Sequence, residues 1–379
     1  MYIKFNRATN ATIGLELEVQ TINPRTGELV PGANTILSYL EGDVMFKPEL
    51  FTSTVEINTP VCENMEEVEQ ALEKNLQILN QIAEQNDLQI LISGCHPFSN
   101  WQQQQITRQN RYQNLLHRIQ WPVRQFLIFG LHVHVGIDDA DKVIYVMNRL
   151  TSYIPYLIAL SASSPFWNGF DTGLATSRIK IFEELPNAGI PYTFENWEKY
   201  SELVHHLIQT NSIDTVRDIW WDIRPHPIFG TIEVRVCDAM PTLKENIAVS
   251  TLIYLLVLKI SQEFERKNKL PQLDRWILEQ NKWRAARHGI NGEIIVNQEG
   301  ETRSIKQQIK ALHQELLDFT DNTDLKYSQK YLNFIPEILE KRPSYQRQRE
   351  WIRQRPGDYK FVVDNLLKET RENLLLNGY

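Results

Sequence analysis

The sequence is short of the features that mark several large classes of protein. It holds three cysteines, Cys62, Cys95 and Cys237, and no C-x-x-C pair. An odd number of scattered thiols offers neither a structural zinc knot nor a disulfide framework and suits free thiols in a reducing cytoplasm. No block of lysine and arginine stands out, and the formal net charge is -7 with a pI near 5.8. A nucleic-acid grip built on phosphate neutralisation is therefore not expected. The start, Met1-Tyr2-Ile3-Lys4-Phe5-Asn6-Arg7, lacks the apolar stretch of a secretory signal. The longest mostly apolar run, Ile247 to Leu258, is too short to span a bilayer and is interrupted at Lys259, so it reads as a buried helix and no membrane partner is expected. Internal repeats, low-complexity tracts and clear linkers are missing as well.

What is there is the composition of a globular protein: 379 residues, 42% hydrophobic and 23% charged, enough for one large domain or two ordinary ones. Four short stretches share a pattern. Ile13-Gly14-Leu15-Glu16-Leu17-Glu18-Val19-Gln20 alternates as a β-strand does, with Leu15, Leu17 and Val19 on one face and Glu16 and Glu18 on the other. Carboxylates side by side repel unless a cation lies between them or one is protonated. Glutamate on the wet face of a single strand is common and says little alone. The pattern recurs, however. Gly130-Leu131-His132-Val133-His134-Val135-Gly136 sets two histidines on one face, Thr231-Ile232-Glu233-Val234-Arg235-Val236 a carboxylate and a guanidinium, and Thr54-Val55-Glu56-Ile57-Asn58 the carboxylate of Glu56. Four such strands describe one sheet whose open face is an active site.

Between them the chain reads as follows. Asn23 to Leu29 has the Pro and Gly spacing of a tight turn, after which the chain doubles back as a hairpin. Glu49 and Glu56 are separated by an odd number of residues, so a bulge or bend near Thr52-Ser53 is needed if both face one site. Asn64 with Glu67 starts an amphipathic helix to about Gln85. Gln89 to Gly94 is a buried strand emptying into the loop Cys95-His96-Pro97-Phe98. Arg108, Arg111 and Tyr112 fall on a helix with an exposed basic face. Asp138-Asp139 opens the next helix, Asn168 to Pro191 (with Arg178) is irregular, and Glu195 to Gln209 is helical with His205 and His206 as surface or packing residues. Two prolines and a Trp pair make Trp221 to Pro227 a rigid loop presenting Arg224 and His226. From Leu243 the chain is mostly helical, with a long helix from Lys244 to about Lys267 and three basic side chains near a helix end in Asn281 to Gly289. The sheet-forming part and the helical last third are expected to form one domain.

Oxygen ligands with an imidazole suit magnesium or manganese, whereas zinc sites usually recruit more histidine or cysteine. Glu16, Glu18, Glu49, Glu56 and Glu233 with His132 supply ligands for two hard cations, which could bridge the phosphates of ATP. Arg235, two residues beyond Glu233 on the same face, is placed either to meet a transferring γ-phosphate or to act as the charge partner of Glu233.

Taken together, Gly14-Leu15-Glu16-Leu17-Glu18, Cys95-His96-Pro97-Phe98, Gly130 to Gly136, Trp221 to Pro227 with Gly230 to Arg235, and Trp283-Arg284-Ala285 resemble the glutamate-cysteine ligase type 2, or carboxylate-amine ligase, family, in the family's order from about Thr12 to Gly289. The resemblance implies an α+β fold similar to glutamine synthetase, a curved and largely antiparallel sheet with helices behind it and a helical C-terminal part (243–379), the whole chain (1–379) forming a single catalytic domain. It implies that Glu18, Glu49 and Glu56 hold one magnesium or manganese ion and Glu16, His132 and Glu233 another. By the same resemblance Arg235 and Glu233 are catalytic, His134 and Arg235 meet ATP, and Arg224, Arg178 and His96 meet substrate. The chain departs from the family pattern at Cys95, where a threonine is expected. The implied reaction phosphorylates a carboxylate, that of glutamate in the type enzymes, with ATP; an amine such as cysteine then displaces phosphate. The expected partners are a small carboxylic acid and an amine, with a homodimer compatible and the cytoplasm as location.

Two other readings compete. H-x-H on a strand also marks metal-dependent hydrolases, although those normally carry it early and add further metal histidines. A non-catalytic nucleotide-binding protein could keep the fold, but carboxylates held together without a metal would destabilise its sheet.

Overall fold

Alternation from Ile13 onward gives the chain its central strand. In the structure, a computed structural model that describes residues 3–267 and 273–375, strand β1 (Ile13–Ile22) buries Leu15, Leu17 and Val19 and leaves Glu16 and Glu18 on the opposite face. Its partners are β2 (Phe46–Pro48), β3 (Thr54–Asn58), β4 (Gln89–Leu91), β5 (Gly130–Gly136), β6 (Ile223–His226) and β7 (Thr231–Asp238). The order is β6-β7-β5-β1-β3-β2, every pair is antiparallel, and β4 pairs with the last residues of β1. Register is set by the apolar face, because a slip of one residue would turn Leu15, Leu131, Val133 and Ile232 into solvent. It places Glu16 opposite His132, Glu18 opposite Glu56, and Glu233 opposite His134.

The principal helices are α1 (Met65–Gln85), α2 (Asn110–Ile119), α3 (Ala140–Leu150), α4 (Arg178–Phe182), α5 (Trp197–Gln209), α6 (Leu243–Glu265), α7 (Arg275–His288), α8 (Ile305–Asp321), α9 (Ser344–Gln354) and α10 (Tyr359–Leu375). Side-chain caps fix several starts: Asn64 accepts from the N–H groups of Glu66 and Glu67, Asp139 caps α3, and Thr242 with Glu245 forms a capping box on α6. Each such cap stabilises its helix by about 1 kcal/mol. Helix α6 runs behind the sheet against β5, α1 and α3. It and the stretch Ala140–Ser161 are long and apolar enough to cross a membrane, but both lie mostly inside the protein, as core helices do. One apolar core joins the sheet's inner face to α6, α8 and α10, each fully buried aliphatic side chain contributing roughly 1.5–3 kcal/mol. The three cysteines are buried free thiols.

Two local expectations are modified, and one, a bend near Thr52-Ser53, is met. The turn at Asn23 forms, with Gly27 at φ +73°, but the return leg runs beside β1 only briefly, Leu29 bridging Ile22 and Val30 donating its N–H to the Thr21 carbonyl at 3.0 Å, before it enters a short helix, Ala33–Ser38. The parity of Glu49 and Glu56 is corrected by a chain reversal through Thr52-Ser53, so that β2 runs antiparallel to β3. Within the segment expected as a rigid loop at Trp221 to Pro227, Ile223–His226 is instead the edge strand β6, and Trp221 pairs with Gly189 in a separate short ladder. Asp222 and His226 point their carbonyls at β7, where they accept from Arg235 and Gly230, and Pro227 points its carbonyl outward to Asn6. By alternation Pro225 faces its nitrogen outward, where no ladder bond is lost, and an edge strand is where proline is tolerated.

Candidate active site

The polar face of the sheet floors a cleft of about 380 Å³. Arg224 and His226 of β6, Glu233 and Arg235 of β7, His132 and His134 of β5, Glu16 and Glu18 of β1, Glu56 of β3 and Lys47 of β2 all line it, joined by Glu49 and Arg178. Along this face the charge environment changes in a regular way.

On the β6–β7 side arginine dominates. Arg224 grips Glu233 through Nε (2.7 Å) and Nη2 (3.3 Å), while its Nη1 donates to the carbonyls of Ile219 and Arg217 at 2.6 and 3.0 Å. Arg235 donates to the same carboxylate. Burial alone would raise the Glu233 carboxyl, but the guanidinium groups of Arg224 and Arg235 outweigh it and hold the group well below the usual carboxylate range. Arg178, 1% exposed, stands between this side and Glu18 of β1, against Gly130 of β5, where a Cβ would come within 2.1 Å of its Nη2. Glycine is the one residue that leaves the guanidinium room.

On the β1–β3 side carboxylates dominate. Glu18 accepts from the Gly130 N–H, Glu56 accepts from Asn58 Nδ2 at 2.9 Å with Lys47 Nζ 3.5 Å away, and Glu49 accepts from the Leu50 N–H at 3.1 Å. Burial pushes the Glu18 carboxyl up to about 7, Arg178 opposing and Glu56 adding to it. Burial and the charges of Glu56 and Glu18 push Glu49 well above its ordinary value, and burial with the charge of Glu16 raises Glu56.

Glu16 stands between the two sides. His132 Nδ1 is 3.1 Å from its Oε2. His134 Nε2, buried and without a regular hydrogen bond, faces Glu16 Oε1 at 3.5 Å and Glu233 Oε1 at 4.0 Å, while its Nδ1 pairs with Thr231 Oγ1 at 3.0 Å. Burial would raise the Glu16 carboxyl, but the hydrogen bond with His132 and the close approach of the His134 ring hold it well below. Burial and then Arg235 push His132 down to about 4. At the β6 end of the cleft His226 stacks on Phe229 (centroids 4.0 Å apart, 18° between planes) and meets His134 at 5.7 Å.

The model of glutamate-cysteine ligase family 2 matches residues 12–365. The chain belongs to that family. A protein of Frankia alni that carries glutamate–cysteine ligase 2-1 as a provisional title is 42% identical over 375 residues, 97% of each chain. One of Gloeobacter violaceus, provisionally titled glutamate–cysteine ligase 2, is 44% identical over 299 residues, 78% of this chain and 80% of its own. Among solved structures, the glutamate–cysteine ligase of Francisella tularensis in complex with AMP superposes with a TM-score of 0.69 at 14% identity, covering 99% of this chain and 90% of that one. A bifunctional glutathione synthetase from Pasteurella multocida gives 0.69 at 14%, covering 97% of this chain and 53% of its own. At such identity the likeness is one of fold, and the α+β, glutamine synthetase-like class expected from the sequence holds. A member of glutamate-cysteine ligase family 2 is a carboxylate–amine ligase of an ATP-dependent kind.

In this family 2 ligase the donor set fits a hard divalent cation: several carboxylates that their surroundings resist ionising, and two imidazoles. The ligand atoms that converge are Glu16, His134 and Glu233 in one group and Glu16, Glu56 and His132 in another, each within 4.8 Å of one another. The expected trio of Glu16, His132 and Glu233 is thus divided, because register puts His132 beside Glu16 and His134 beside Glu233. Glu233 is in addition already neutralised by two arginines.

His96 does not line the cleft. Its Nε2 meets the Gly27 carbonyl at 2.9 Å and its Nδ1 accepts from the N–H groups of Phe98 (3.2 Å) and Ser99 (2.9 Å), so the ring pins two loops together. Burial pushes its pKa down to about 3, as a neutral ring with both nitrogens committed requires. A substrate role for His96 is replaced by a structural one. Conversely, Arg111 and Tyr112 of α2, expected on an exposed basic face, border the cleft, with Tyr112 Oη donating to the Pro48 carbonyl at 2.8 Å. Arg217 and Phe229 join them. Helical periodicity carried no signal for this, since which face of α2 meets the cleft is decided by docking on β2.

Proposed function

We propose that the cleft joins a small carboxylic acid to an amine at the expense of ATP, through an acyl phosphate on the acid, with glutamate and an amine such as cysteine as the first pair to try. The observation that carries this reading is the juxtaposition, on one sheet face, of a cation-demanding carboxylate group (Glu18, Glu49, Glu56) and an arginine group (Arg178, Arg224, Arg235). Phosphoryl transfer needs both, since catalysis there is mostly positioning and charge stabilisation.

Magnesium or manganese, held by Glu16, Glu56 and His132 with Glu18 and Glu49, would supply neutralisation of the nucleotide's phosphates. Arg235 contributes a planar fork that can follow two phosphoryl oxygens as charge moves onto them. Arg224 and Glu233 hold that fork, because Glu233 ties both guanidiniums together. His226 and Phe229 offer a ring surface for the nucleotide end, with His134 beneath them. Arg111 and Arg178 put positive charge at the other end, where the acid's carboxylate can be oriented.

The test is an ADP-release screen with ATP and magnesium across pairs of acids and amines, followed by oxygen labelling of the productive acid. One heavy oxygen should pass from the carboxylate to phosphate for each amide formed. Amide formation with unlabelled phosphate and accumulating AMP would replace the acyl phosphate by an adenylate. Turnover without ATP would make the cleft a hydrolase.

A further inference from the structure

Arg235 occupies an irregular place in the sheet. Val234 pairs with Val133 but Cys237 with Leu131, so Arg235 and Val236 together span the position opposite His132, as in a β-bulge. A bulge re-aims a side chain, and something must fix the direction. Here the backbone of Arg235 is held from both sides: its N–H donates to the Asp222 carbonyl at 2.8 Å, and its own carbonyl accepts from Arg178 Nη2 at 3.2 Å.

Both holders lead to one buried lysine that does not line the cleft. Asp222, 0% exposed, meets Lys282 Nζ through Oδ2 at 2.6 Å. The same Nζ is 2.7 Å from Glu183 Oε1, and Glu183 directly follows α4, the short helix that Arg178 begins. Lys282 is 3% exposed and belongs to α7, within the Asn281 to Ala285 stretch for which the cleft itself provides no role. Phe182, between Arg178 and Glu183 in sequence, packs its ring against both Arg178 and Arg235 (5.7 and 6.0 Å). A buried ammonium between two carboxylates is an exacting arrangement, since each charge is stranded if its partner moves.

We propose that Lys282 is a positioning residue for Arg235: by fastening Asp222 to Glu183 it locks the two supports that hold the bulge, and so sets where the guanidinium of Arg235 points. The proposal rests on the ligase reading for its kinetic consequence but not for its geometric one. A double variant, Asp222→Asn/Lys282→Met, removes two of the three charges at nearly constant volume, and Glu183 keeps Lys180 as its partner, which guards against misfolding from a stranded charge. Its crystal structure should show the Arg235 guanidinium displaced by about 1 Å or more, a shift that costs up to roughly 100-fold in rate when it affects a reacting group. With a productive acid and amine, kcat for ADP release should fall 10- to 100-fold while KM for ATP changes less than about threefold. Lys282→Arg, which keeps the charge, should restore part of the rate. In an Arg235→Lys background the double variant should cost little more, because positioning a residue that is gone has no value. An unmoved Arg235 in the variant's crystal structure overturns the proposal, as does an undiminished kinetic loss in the Arg235→Lys background. If the unaltered protein releases no ADP with any pair, the ligase reading falls and the crystallographic comparison alone decides on Lys282.

Discussion

The two sides of the cleft hold the same residue type in opposite states. Glu233 on β7 sits between Arg224 and Arg235 and is kept ionised by the protein itself. On the β1–β3 side Glu56 is buried and Glu18 and Glu49 are half-buried; Lys47 and Arg178 do not cancel their mutual repulsion, and removal from water pushes all three carboxyls up. Sequence alternation is the same in both places. The difference lies in what the neighbouring strands bring across: β6 delivers an arginine to Glu233, whereas β3 delivers another glutamate to Glu18. One side is electrostatically complete within the protein and the other is not, which is why the proposed function puts the cation there.

The sharpest way to break this comparison is to withhold the cation. Chelation of divalent metal should lower turnover by more than about 1,000-fold, since the charge stabilisation that the β1–β3 side would provide is lost entirely; magnesium or manganese should restore it, and steady-state ADP release measures both. On the other side, Arg235→Lys should lower kcat by roughly 100- to 1,000-fold with little change in the KM for ATP, because one ammonium cannot replace a fork in the transition state. A loss confined to KM would make Arg235 a ground-state contact.

Matched substitutions should then change stability with opposite sign. Glu233→Gln leaves two guanidiniums buried without their counter-charge and should cost about 3–5 kcal/mol in denaturant unfolding. Glu56→Gln in metal-free protein at pH 8 relieves repulsion and should cost nothing or add about 1 kcal/mol. Equal destabilisation by both would erase the distinction.

The smallest effect is a pH dependence. A carboxyl whose folded pKa is raised contributes stability that is full below its unfolded pKa and lost as pH rises through the folded value. For Glu18 the window runs from the usual carboxylate range to about 7. Metal-free protein should therefore lose a few degrees in Tm between about pH 5 and pH 8, and saturating magnesium should return more of it at pH 8 than at pH 5.5. A magnesium shift that does not grow with pH would place the cation away from these groups.

How much of this could be read from the sequence follows from the range of each signal. Strand faces and helix caps are local, and the alternation at Glu16, His132 and Glu233 and the caps at Asn64 and Asp139 were legible for that reason. Which imidazole stands beside which carboxylate depends on register between strands over a hundred residues apart, and the division between His132 and His134 was not legible. Pro225 misled because its effect turns on the direction its nitrogen faces, which only the neighbouring strand defines. Arg111 and Lys282 sit on helices whose own periodicity says nothing about what they dock against. His96 was tied to its motif by resemblance, while its work is to join two loops.

The buried cysteines have a consequence for a protein of this family. Burial pushes Cys62 up to about 11 and Cys95 and Cys237 up to about 12, so at neutral pH almost none of their sulfur is thiolate, the form that attacks a disulfide. If the amine of the proposed reaction carries a thiol, that thiol meets no ready thiolate on these three cysteines and escapes capture by them as a mixed disulfide.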